Sequence, residues 1–299
     1  MNKRKELLYY GAALLSMMFW SFSFVWVKIA YLAYKPITVV VFRLAISAVT
    51  LFLFAKVIGR LQQPSKKDFL WLLLMAFFEP FLYFMGESFG LLYISSTEAA
   101  VIIATIPLFS PILAWYFYKE KLSWMNSLGL IISFAGVALV VLNKTFGVSA
   151  SPKGILLEFL AVFAAVGYAT VLKHIATRYN ALTIIAYQNF LGVLMFLPLW
   201  LATDLNDFIN TPFHARAFQA IILLSVFASS LAFMFFTYSM RHIGINRTNT
   251  FVNAIPVFVA VFAYLILGDE LSLQKMIGIA VVIAGLFMAQ IKKRIWYSA

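Results

Sequence analysis

Runs of about 20 apolar residues recur along this chain with only short polar breaks between them, and few folds accept that pattern. At ~1.5 Å rise per residue such a run crosses a ~30 Å hydrocarbon layer. Inside that layer every backbone amide must find its partner within the protein, so the choice narrows to helices or a closed barrel. Barrel strands alternate polar and apolar residues, and these runs do not. Composition agrees: 64% of the residues are hydrophobic and 11% are charged, against roughly 25% charged in a soluble domain. The chain reads as an all-α membrane protein.

The runs predict ten spans, near residues 8–29, 37–56, 69–90, 97–117, 124–143, 153–173, 182–202, 216–239, 248–267 and 274–291. Met1 to Lys5 leads into an apolar stretch in the manner of a signal peptide. That stretch continues past Trp20 and Trp26 without a small-residue cleavage site, so it reads as the first retained span. Gln62 to Asp68 and Thr203 to His214 are the longer polar connections. Between Asn143 and Lys153, Gly147, Ser149, Ser151 and Pro152 interrupt the apolar pattern and divide the chain into halves 1–147 and 148–299.

The halves repeat one another. Residues 82–136 match 231–285 at a constant offset of 149: Leu82, Phe84 and Met85 return as Leu231, Phe233 and Met234. Ile106-Pro107 returns as Ile255-Pro256, Leu122-Ser123 as Leu271-Ser272, and Gly129, Ala135 and Gly136 as Gly278, Ala284 and Gly285. Five spans per half is an odd number, so the second copy enters the membrane the opposite way round. Inverted repeats of this kind commonly enclose a substrate site at their interface and expose it to each side in turn. The fold expected is two inverted five-helix repeats around a central cavity. Duplication that merely enlarges a bundle is the plainer alternative.

The net charge of +12 does not point to nucleic acid, because the cations lie in the breaks between spans. Sixteen of the 23 Lys and Arg fall on one side. They are Lys3-Arg4-Lys5, Lys56, Arg60, Lys66-Lys67, Lys119, Lys121, Lys173, Arg178, Arg241, Arg247 and Lys292-Lys293-Arg294. That bias predicts cytoplasmic termini.

The third span carries the sharpest constellation. Glu79, Tyr83 and Glu87 are spaced four apart and share a helical face, with Pro80 as a bend point. A charge at mid-span costs roughly 2.5–3.5 kcal/mol on insertion scales, so Glu79 should face a cavity, where a carboxyl suits a proton carrier. The second copy has Ala228, Ala232 and Phe236 at these positions, so the face is not needed by the repeat itself. Arg43 in the second span matches Glu87 in depth and reads as its ion-pair partner, structural or substrate-binding. Trp20 and Ser23, Tyr168, Tyr187 and Gln188, Tyr238, and Asn249 and Asn253 add aromatic and amide groups within spans. Any one of these could equally be interhelical glue. Pro107 and Pro256 are further candidate kinks, and Gly129, Gly136, Gly278 and Gly285 suit close packing of spans five and ten.

Other chemistry is excluded or unsupported. The chain has no cysteine. His174, His214 and His242 are scattered near span ends, so no metal site is expected, and no phosphate-binding loop, His-Glu-x-x-His or Gly-x-Ser-x-Gly occurs. No cofactor is implied. Glu120, Asp269 and Glu270 read as solvated end groups, while Glu98 and Glu158 sit just inside a boundary and could snorkel.

The sequence Phe19-Trp20-Ser21-Phe22-Ser23-Phe24, Phe42-Arg43 and the paired Ile-Pro, acidic-Leu-Ser and Gly positions resemble the drug/metabolite transporter superfamily, specifically its EamA-type ten-helix exporters. The first copy departs from the usual pattern with Lys119 where the second keeps Gly268. The resemblance implies a basket of spans one to four and six to nine around a cavity, with five and ten peripheral. It also implies export of amino acids or related solutes across a bacterial cytoplasmic (inner) membrane. The partners expected are a small-molecule substrate and the lipid bilayer, not nucleic acid, and a homodimer is compatible with the pattern. Uptake or exchange of an anionic metabolite at Arg43 is the alternative within transport. A membrane enzyme or a scaffold are the alternatives outside it.

Overall fold

The computed structural model describes residues 3–109, 124–142, 150–244, 248 and 251–290. Among these, six helices are long and apolar enough to cross a membrane: Glu6–Ala30, Pro36–Val57, Lys66–Gly90, Pro152–Leu172, Ala181–Thr203 and Ala215–Ile243. The shorter apolar helices Ser96–Phe109, Ser127–Val141, Phe251–Leu267 and Leu273–Met288 overlap the remaining expected spans. No strand occurs among the described residues. The molecule is an all-α membrane protein.

Numbered along the chain, α1 is Lys3–Ala30, α2 Pro36–Val57, α3 Lys66–Ala76, α4 Tyr83–Gly90, α5 Ser96–Ile103, α6 Trp124–Val141 and α7 Pro152–Ile175. The remainder are α8 Ala181–Thr203, α9 Leu205–Asn210, α10 Ala215–Leu223, α11 Phe233–Ile243, α12 Ile255–Leu267 and α13 Leu273–Gln290. Local signals start several of them. Pro36 and Pro152 open α2 and α7, where a missing N–H costs nothing. Asn180 Oδ1 accepts from the Thr183 amide at 2.8 Å, and Ser95 and Glu98 form a reciprocal capping box. Apolar side chains such as Leu70, Trp71, Leu74 and Phe77 remain on the outside of the bundle, a surface suited to lipid tails.

Two of the crossings are interrupted at corresponding places. Segment Phe77–Leu82 joins α3 to α4 as a π-helix, and Leu224–Ala232 joins α10 to α11 in the same way. In the first, Glu79 leaves helical geometry (φ −145°, ψ 116°) ahead of Pro80, which has no N–H to donate. The bulge fits a notch on its neighbours. A Cβ on Gly167 would lie 2.6 Å from the Phe78 ring, and one on Gly192 would strike Pro80. The other expected kinks are helix breaks just before the prolines. α5 ends ahead of Ala104, shortly before Pro107, and a 3-10 turn Phe251–Ala254 precedes Pro256 at the start of α12.

The packing pairs α2 with α8 and α6 with α13, while α1 lies against α10, α11 and α12, and α7 against α3, α4 and α5. The α6–α13 seam brings backbones together. A Cβ added to Gly136 would lie 2.6 Å from the Val282 nitrogen, and one on Gly285 would lie 2.5 Å from that of Ser133. At the end of the bundle where α1 begins, here the near end, Asp68 accepts from Arg178 and, at 2.7 Å, from Tyr179. There Tyr9 also stacks on His242 at 4.3 Å between ring centres. At the far end Lys35 pairs with Asp207, and Asp204 accepts from the Thr38 amide at 3.1 Å. The Thr203–His214 connection, expected as a polar loop, contains the short helix α9, which carries Asp207 to that pair. Gly268, at φ 73°, ends α12 in the left-handed region that suits glycine.

Candidate functional site

A cavity of ≈ 120 Å³, taken as the space open to water centres, lies inside the bundle. It runs from Glu87, within a turn of the far end of α4, to Leu172 and Met240, within a turn of the near ends of α7 and α11. Its wall is mainly apolar and carries three charged side chains, all buried: Arg43 (2% exposed), Glu79 (7%) and Glu87 (4%). Pockets of this kind, apolar with a few placed polar groups, are the usual form of a small-molecule site.

Each charge is held by a local cause. The π bulge turns Glu79 into the cavity while Pro80 packs behind it. Tyr83 donates to Glu87 Oε1 at 3.1 Å, as a spacing of four on α4 allows. Arg43 Nε donates to Ser229 Oγ at 3.0 Å, and the guanidinium lies 4.3 Å above the Phe84 ring. Its Nη1 is buried with no hydrogen-bond partner among the described residues. Beside it, Ser47 Oγ meets Ser230 Oγ at 2.6 Å, and Asn189 Nδ2 donates to Ser47 Oγ at 2.7 Å. This seam ties α2 to α8 and to the second π segment.

The structure places the expected residues in three groups. Trp20, Ser23, Glu79, Tyr83 and Tyr168 line the cavity together with Arg43 and Glu87. Gln188 stands behind the wall and accepts from the Tyr168 hydroxyl at 3.2 Å; Asn253 is buried between the lining residues Val252 and Ile255. Tyr187 and Tyr238 are off the cavity. Tyr238 is two positions from Phe236, hence on nearly the opposite face of α11, where it packs on Tyr9 and His242. Tyr187 instead sets its ring against Phe52 of α2. Asn249 lies outside the described residues, as do Lys119, Glu120, Leu122 and Ser123.

Two further expectations are corrected. Arg43 and Glu87 agree in depth but form no ion pair, because the guanidinium is turned to Ser229 and Phe84. Glu158 does not snorkel: it is fully buried, whereas Glu98 caps α5 and pairs with Lys275 at 3.6 Å. Among the described residues no cluster of His, Asp and Glu has the makings of a metal site.

Residues missed in the sequence follow a rule that was available. Phe84 and Phe233, Glu87 and Phe236, Ile103 and Val252, and Ile106 and Ile255 all line the cavity, each pair separated by 149. Trp20 and Ala165, Ser23 and Tyr168, and Phe24 and Ala169 do so at a separation of 145. Applying the offset of 149 to Glu87 and Ile106 finds Phe236 and Ile255.

A helical bundle with apolar outer faces and a central cavity holding buried charges defines a multi-pass membrane transporter. The chain belongs to the EamA-like transporter family, whose model matches it twice, over residues 7–142 and 152–290. It is 28% identical over 296 residues to the uncharacterized transporter YcxC of Bacillus subtilis (strain 168), covering 95% of this chain and 93% of that one. An uncharacterized transporter of Archaeoglobus fulgidus is 27% identical, over 94% of this chain and 97% of its own. A probable terminal-alkyne amino-acid exporter of Streptantibioticus cattleyicolor is 22% identical, over 93% and 91%. A protein of known crystal structure shares the fold, with a TM-score of 0.67 at 15% identity over 93% of this chain and 94% of that one.

Proposed function

We propose that this transporter exports amino acids or related small amphipathic metabolites by alternating access, and that it is not an enzyme. The carrying observation is that one cavity presents a guanidinium and carboxyl groups within aromatic walls. Arg43 Nη1 has a donor unused among the described residues, Glu79 supplies a carboxyl, and Trp20, Tyr83 and Tyr168 offer ring faces. A zwitterion with an apolar side chain satisfies all three at once. The exporter from Streptantibioticus cattleyicolor, named for an amino acid, supports the same class.

Residues 1–147 and 148–299 act in this reading as inverted halves that rock about the cavity, with both termini in the cytoplasm and the protein in a bacterial inner membrane. Support comes from the double match of the family model and from the lining positions that recur at fixed separations. Glu79 is the proposed proton carrier.

The test is reconstitution in liposomes with a panel of amino acids, anionic metabolites, nucleobases and cationic drugs, with and without a pH gradient. Counterflow of apolar or aromatic amino acids is expected; no flux of any panel member counts against the reading. The unpartnered Arg43 Nη1 favours one second reading, exchange of anionic metabolites. In that case anions compete and zwitterions do not. A Glu79→Gln variant that kept the full pH dependence would remove Glu79 from the mechanism.

A further inference from the structure

Glu158 on α7 is fully buried, and neither carboxylate oxygen has a hydrogen-bond partner among the described residues. An ionised carboxylate in such a place is strongly disfavoured without a cation or donors, so the group needs either a proton or a partner that moves in. The site is closely shaped. Gly90 of α4 lies against it, and a Cβ there would be 2.6 Å from Glu158 Oε1. Ala165, two turns further along the same face of α7, lines the cavity, which places Glu158 beyond the cavity wall toward the far end.

The charged and titratable neighbours are few. From α4 they are Glu87 and Tyr83; from α1 and the turn after it, Lys28 and Tyr31. On α5, Glu98 is engaged by Lys275 of α13, and α6 meets α7 through the stacked rings of Phe134 and Phe159. Lys28 is the obvious counter-ion, yet its ammonium donates to the carbonyls of Leu91 and Ile94 in the turn that follows α4. Those two carbonyls, the carboxyl groups of Asp269 and Glu98, and Glu158 compete for one cation.

We infer that Glu158 is a proton-binding site separate from the cavity carboxyls, gated by Lys28. With Lys28 held by Leu91 and Ile94, Glu158 carries one proton. When the far end opens, Lys28 leaves those carbonyls, the O–H bond of Glu158 breaks, and the proton passes to water on that side. The carboxylate is then neutralised by Lys28. Closing reverses each change. The inference rests on the reading of the chain as an alternating-access transporter and does not depend on the substrate.

Infrared difference spectroscopy of the full chain in lipid, in H2O and D2O across a pH series, reads protonated carboxyls without any substrate. Wild type should show a protonated-carboxyl band that Glu158→Gln lacks and that Glu158→Asp retains. An identical band in wild type and Glu158→Gln overturns the inference. Lys28→Gln removes the counter-ion and should hold the band to higher pH, by about one unit or more; no movement also overturns it. In liposomes, with a solute that wild type carries, Glu158→Gln should lose roughly tenfold of the stimulation by a pH gradient. Exchange at equal pH should stay within about twofold of wild type, as the cavity wall is intact. Full gradient dependence in Glu158→Gln overturns the inference even where transport is normal. A wild type that moves no solute counts against the transport reading, and the infrared result then decides the question for Glu158 by itself.

Discussion

Arg43 on α2 donates from Nε to the Oγ of Ser229, and Ser229 stands where the repeat offset carries Pro80. One copy of the repeat uses that position to break its helix, and the other uses it to hold the cavity's cation. Ser229→Ala should leave a buried guanidinium donor unpaired and cost about 1–3 kcal/mol of stability. Thermal unfolding in detergent reads that loss. Arg43→Gln should lower solute exchange by roughly tenfold or more, since it removes the charge that meets a carboxylate. If Arg43→Gln transports normally, Arg43 serves packing alone.

The cavity and the near end can be separated by two tyrosines. Tyr168 lines the cavity, whereas Tyr238 packs outside it on Tyr9 and His242. Tyr168→Ala should weaken apparent affinity about tenfold by removing a ring face, and Tyr238→Ala should change it less than about twofold. Competition with unlabelled solute measures both.

The seam between α6 and α13 has no room for side chains at its glycines. Gly136→Val should cost about 1–3 kcal/mol or prevent folding, because the new atoms meet the Val282 backbone. Gly11→Ala, where nothing lies within 4 Å, is the matched control and should be neutral. Yield of monodisperse protein and the thermal midpoint distinguish them.

The far-end pair of Lys35 and Asp207 lies outside the spans. Its hydrogen bond to Asp207 raises the Lys35 amine above the ordinary 10.5. A raised amine stabilises the folded form fully below the unfolded value, and that contribution is lost as pH rises through the folded one. The wild-type midpoint should therefore fall more steeply than that of Asp207→Asn in strongly alkaline buffer. Near neutrality each curve should be flat with respect to this group. High salt should shrink the difference, as expected for a solvated pair.

The crossings were legible in the sequence because lipid imposes length and apolarity on each helix separately. The cavity was legible where polar, charged or aromatic residues stand within a span, and beyond them through the repeat. Glu79, Tyr83, Trp20, Ser23 and Tyr168 come together on it, and Phe233 and Phe236 are reached through their partners Phe84 and Glu87. Lateral position was not legible. Arg43 and Glu87 agree in depth, but depth says nothing of which neighbour a side chain turns toward, and Ser229 lies 186 residues away. Tyr238 failed for a related reason: an aromatic residue within a span has two faces to choose from, and only the packed neighbours decide. The buried state of Glu158 was hidden because snorkelling needs open space above the residue, which Lys28 and the turn after α4 occupy.

Where Gly136, Gly278 and Gly285 bring backbone against backbone, there are no flexible side chains to re-pack as one helix slides past the other. The seam thus has the character of a weld. It resists shear, so α6 and α13 keep their register whatever the rest of the bundle does. Three residues with no side chain to speak of thus join two helices into a single unit.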